Sequence, residues 1–69
     1  DVEEELTRLR KEISRVEDDM AFVNKKLGNP KFVERAPDHI VQKERDKLAG
    51  FEQEKSALES SMSELENLR

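Results

Sequence analysis

In the first part of the chain apolar residues fall at Val2, Leu6, Leu9, Ile13, Val16, Met20, Val23 and Leu27, with gaps that alternate between four and three. That alternation places one stripe of side chains along a coiled-coil seam. The same spacing resumes at Glu44, Leu48, Phe51, Lys55, Leu58, Met62, Leu65 and Arg69, where only the two ends and Lys55 are not apolar. Between the two segments lie Gly28, Pro30 and Pro37, residues that a continuous helix tolerates poorly. In an antiparallel hairpin, facing residues have position numbers that add to a constant. Leu6 with Leu65, Leu9 with Met62, Ile13 with Leu58, Val16 with Lys55, Met20 with Phe51 and Val23 with Leu48 all sum to 71. The bend therefore falls between Arg35 and Ala36. The predicted fold is all-α: an antiparallel two-helix coiled-coil hairpin with a short helical turn at the tip. Residues 1–69 form one unit, with a first helix over about 2–27, a tip over 28–37 and a second helix over about 38–68.

The tip has local signals of its own. Asn29 is placed to cap a short helix with Pro30 at its first position, where the missing N–H has no consequence. Pro37 ends that turn and suits the start of the next helix, with Asp38 near its positive end. Phe32 and Val33 are expected to plug the open end of the seam over Leu27, Ile40 and Val41; the alternative for Phe32 is an exposed ring that stacks on a base. Two charged residues interrupt the seam. Lys55 is expected to lay its methylenes on the core with its ammonium outward, disfavouring other registers. Glu44 is expected to fix the tip by accepting hydrogen bonds from loop N–H groups or from Asn29.

Length and composition then limit function. A chain of 69 residues, 33% apolar and 43% charged, buries one narrow seam and has no room for a substrate-enclosing core. Arms of about 25 residues at ~1.5 Å per residue make a rod roughly 40 Å long with both termini at one end. There is no cysteine, so disulfides, thiolate metal sites and cysteine nucleophiles are excluded. The single histidine, His39, lacks partners for metal or catalytic work. Gly28 and Gly50 are isolated and form no phosphate loop, while Glu3, Glu4, Glu5, Asp18 and Asp19 sit in surface-type runs. The reading is a non-enzyme with no catalytic residue, metal site or cofactor. No apolar run approaches a membrane span, and the default is a soluble, cytoplasmic, monomeric module. The start at Asp1 rather than Met suggests a domain excised from a larger protein.

Charge gives the first positive hint. The whole chain is at −4, yet residues 24–47 carry Lys25, Lys26, Lys31, Arg35, Lys43, Arg45 and Lys47 against four carboxylates, a net of +3. A second cluster, Arg8, Arg10, Lys11 and Arg15 against Glu12, is also at +3, and the remainder is acidic. A basic tip on an acidic rod suits docking to a polyanion by its distal end.

The tip residues Asn29, Phe32-Val33, Ala36-Pro37, Ile40-Val41, Glu44-Arg45 and Lys47-Leu48 follow the pattern N-x-x-F-V-x-x-A-P-x-x-[VI]-V-x-x-E-R-x-K-L, which resembles the carboxy-terminal coiled-coil arm of valyl-tRNA synthetases. The motif covers about a third of the chain, and the flanking heptads agree in kind. The resemblance implies a tRNA-binding appendage, linked to the rest of a parent synthetase, that holds the outer corner of tRNA where the D-loop and T-loop meet. The family's ATP-binding signatures are missing, so ATP and magnesium are not carried over. Candidate phosphate contacts are Lys25, Lys26, Lys31, Arg35, Lys43, Arg45 and Lys47; Arg45 and Lys47 lie within the motif, and the others rest on charge and position. Arg15 and Lys11 come next if RNA lies along the rod. Net acidity implies weak affinity for the isolated piece. Two other classes fit the hairpin alone: a structural or protein-interaction stalk, and a nucleic-acid-binding tail like those of some ABC-type ATPases.

Overall fold

A computed structural model describes residues 1–68. Among the described residues three helices follow one another: α1 over Val2–Leu27, α2 over Pro30–Arg35 and α3 over Asp38–Asn67. The long helices α1 and α3 pack against each other and α2 packs against α1, making a rod with extents of 50 × 14 × 12 Å. Arg69, the last seam position of the second arm, lies outside the described residues.

The start of α1 and the helix ends at the tip have local causes. The Asp1 carboxylate accepts the N–H of Glu3 at 3.2 Å, and Glu3, Glu4 and Glu5 occupy the first turn of α1 while Lys25 and Lys26 occupy its last. Both arrangements oppose the helix dipole. At the tip, the Asn29 side chain caps α2 by accepting the Lys31 N–H at 3.0 Å, and Pro30 stands at its first position. Ala36, which precedes a proline, is extended and closes α2 by donating its N–H to Phe32 O at 2.9 Å. Pro37 sits just outside α3, where its carbonyl accepts from Ile40 and Val41.

The seam is buried where the alternation places it, in a graded way. On α1, Leu6, Leu9, Val16 and Val23 are buried while Ile13, Met20 and Leu27 are half-buried. On α3, Val41 and Glu44 are buried, and Leu48, Phe51, Leu58, Met62 and Leu65 are half-buried. Burial along the seam is thus deeper on α1 than on α3. Among the described residues, ion pairs cross between the helices from Arg15 to Glu54 at 3.6 Å, Lys55 to Glu17 at 3.1 Å and Lys26 to Glu44 at 3.7 Å. Each pair has position numbers summing to within two of 71, so the charged flanks obey the same register as the core. Lys55 does what its place opposite Val16 demands: its stem is half-buried and its ammonium reaches Glu17 outside the seam. That hydrogen bond raises the Lys55 pKa.

Candidate nucleic-acid interface

The seven cations assigned from sequence all lie at or near the tip, but the structure divides them into two groups. Lys25 in the last turn of α1, Lys31 and Arg35 at the two ends of α2, and Lys43 and Arg45 early in α3 are all exposed. None of these five makes an ion pair among the described residues. Lys26 and Lys47, by contrast, both approach Glu44 Oε1, at 3.7 and 3.4 Å.

Glu44 departs from its expected role. It is buried, yet it receives no loop N–H and nothing from Asn29. The loop donors are already used by backbone: Asn29 N bonds Lys26 O, Val33 N bonds Asn29 O and Ala36 N bonds Phe32 O. The Asn29 oxygen is taken by Lys31 N. Glu44 is instead held between a lysine of each long helix, and its Oε2 is buried without a hydrogen-bond partner.

Two of the four cations of the second basic cluster are paired. Arg8 bonds both Glu5 and Glu12, at 2.8 and 2.9 Å, and Arg15 is paired with Glu54. The hydrogen bond from Arg8 lowers the Glu5 pKa and raises that of Arg8 itself. Lys11 is exposed and, with Arg10, is left without an ion pair among the described residues. Beyond Phe51, α3 carries Glu52, Glu54, Glu59, Glu64 and Glu66 against Lys55 alone. Uncommitted positive charge is therefore concentrated at the free end of the rod, and negative charge near the termini.

One open cleft lies at the tip and another on the flank of the rod below it. The first, of about 340 Å³, is lined by Val33, Asp38, His39, Val41, Gln42 and Arg45. The other, of about 300 Å³, lies between the long helices beside Phe22, Lys26 and Lys47. No group of residues suited to hold a metal ion occurs among the described residues. Phe32 and Val33 are half-buried at the end of the seam. Phe22 was not marked by the sequence pattern, and it is 63% exposed. An aromatic residue lying off the heptad stripe was the one signal available for it.

The profile of the valyl tRNA synthetase tRNA binding arm matches residues 1–66. This chain belongs to that family. Among its relatives, the valine–tRNA ligase of Geobacter sulfurreducens is 46% identical over 67 residues, which make up 97% of this chain and 8% of the relative. The enzyme of Syntrophotalea carbinolica is 41% identical over 69 residues, all of this chain and 8% of the relative. That of Bacillus subtilis is 36% identical over 64 residues, 93% of this chain and 7% of the relative. The chain thus spans less than a tenth of the length of these synthetases. No solved structure matches it. In this hairpin the seam sets the length, and α2 with the adjoining turns of α1 and α3 carries five of the cations that make no ion pair among the described residues. No helix among the described residues is long and apolar enough to cross a membrane.

Proposed function

We propose that this hairpin is a non-catalytic arm of a cytoplasmic valine–tRNA ligase that grips the outer corner of tRNA, where the D-loop and T-loop meet. The observation that carries this reading is the group of uncommitted cations at the free end of a rod whose other end is acidic. Folded RNA is recognised largely through its shape, phosphates and 2′-hydroxyls, and a narrow basic head meets a convex folded corner without needing a groove. Lys25, Lys31, Arg35, Lys43 and Arg45 are the primary phosphate contacts. Lys26 and Lys47 contribute once RNA competes with Glu44 for their ammonium groups. The acidic base repels RNA and leaves the tip as the productive contact.

The arm works as a monomer and one contact among several, with the linked synthetase supplying effective concentration and carrying out aminoacylation elsewhere. The free 69-residue chain accordingly binds tRNA weakly. Titrating it with folded tRNA and with a DNA duplex of matched charge, at low and moderate salt, tests this reading. We expect tRNA to bind more tightly, with the preference persisting as salt rises. Equal affinity for the two polyanions would reduce the interaction to generic electrostatics.

A further inference from the structure

The cleft between α1 and α3 contains Phe22, Phe51 and Glu44, which phosphate binding at the tip does not use. Phe22 lies outside the seam with 63% of its surface in solvent. Its ring is partnered by the Lys26 ammonium, 4.6 Å from the ring centroid, a distance at which the cation is attracted to the π face. Across the cleft stand Lys47 and the half-buried ring of Phe51, with Val23 and Glu44 completing the lining on the inner side. The Glu44 side chain is only 9% exposed. One of its oxygens has no hydrogen-bond partner, and the other holds two ammonium groups at the long distances of 3.4 and 3.7 Å. A buried acceptor without a donor is costly, and these lysine contacts are too long to compensate it fully.

The cleft also has an electrostatic direction. Asp19 lines it one turn further from the tip than Phe22, and Lys26 stands one turn nearer the tip. An occupant that suits every wall has a flat aromatic face for Phe22, an N–H donor for Glu44 and an anionic group directed toward Lys26 and Lys47. A nucleotide has all three. Aromatic side chains stack on any base, and an unpaired base offers Watson–Crick N–H groups to a carboxylate.

We propose that this cleft binds one unpaired nucleotide of the RNA, with its base stacked on Phe22, an N–H of the base bonded to Glu44 and its phosphate held by Lys26 and Lys47. The proposal rests on the tRNA-binding reading and adds a base-binding site on the flank of the arm, a turn or more below the tip.

The chain contains no tryptophan, so Phe22→Trp introduces a sole indole at the stacking position. Titrating this variant with folded tRNA should quench its fluorescence saturably. Phe22→Leu, at an exposed site that leaves the fold undisturbed, should weaken tRNA binding about fivefold or more, the range expected for loss of one stacked base. Circular dichroism should show unchanged helicity. If Phe22→Trp binds tRNA with no change in emission and Phe22→Leu binds as tightly as the parent chain, the cleft is not a nucleotide site, although the arm still binds tRNA. If the parent chain itself fails to bind tRNA at low salt, the tRNA-binding reading fails and the pocket with it.

Discussion

Leu9→Asp is expected to abolish the cooperative fold. Leu9 is 4% exposed and faces Met62 in the register of the seam. The α3 segment opposite it carries Glu59, Glu64 and Glu66 and no cation, so the new carboxylate has no partner across the seam. An uncompensated buried charge costs about 3–5 kcal/mol, and loss of the leucine side chain removes roughly a further 2 kcal/mol of apolar burial. A domain of this size has a total stability of only about 3–10 kcal/mol. The variant should lose most of its helical circular dichroism at room temperature. Phe22→Asp is the matched comparison, an apolar-to-acid change on the same helix at a position 63% exposed. It should alter stability by no more than about 0.5 kcal/mol. A Leu9→Asp chain that melts like the parent would mean that the heptad stripe is not what holds the hairpin.

The second large effect is on binding. Replacing Lys43, Arg45 and Lys47 together with Ala should lower tRNA affinity at low salt about tenfold or more. It should also flatten the salt dependence, since each lost phosphate contact removes roughly 0.7–0.9 from the slope of log affinity against log salt. All three residues are exposed on α3, and alanine is the strongest helix former, so helicity should stay intact. Glu44 loses Lys47 in this variant but keeps Lys26. Arg10 and Lys11 serve as the control. They are exposed on the acidic half of the rod, and their replacement should leave the slope nearly unchanged. Equal losses in the two variants would indicate binding along the whole rod rather than at its head.

The hairpin was legible in the sequence because its seam follows a strict rule. Four–three spacing on both arms and a constant sum of facing positions lead to the burial of Leu6, Leu9, Val16 and Val23 and to the crossing of Arg15 with Glu54 and Lys55 with Glu17. The caps at Asn29 and Pro30 were equally readable, because they depend on neighbours one or two residues away. The partners of Glu44 were not. Its place beneath the loop suggested loop N–H donors, but whether those are free depends on the backbone path, which spends them on carbonyls. The same register that pairs the seams brings Lys26 beside Glu44, and following the charged flanks through it would have found this ion pair. Counting charges also overstated the Arg8–Arg15 cluster, since Glu5, Glu12 and Glu54 neutralise two of its arginines. Phe22 left no periodic trace, because an apolar residue off the stripe looks like any scattered surface side chain until its exposure and neighbours are known.

On the reading proposed above, this arm meets folded tRNA with its tip. Backbone amide NMR of the 69-residue chain titrated with folded tRNA tests it residue by residue. Shifts concentrated in residues 24–47, with the segment beyond Phe51 unmoved, are the predicted result, accompanied by a second focus at Phe22 if the flank cleft is occupied. Shifts spread evenly along both helices, or none at low salt, would contradict it and leave the hairpin as a structural or protein-binding stalk.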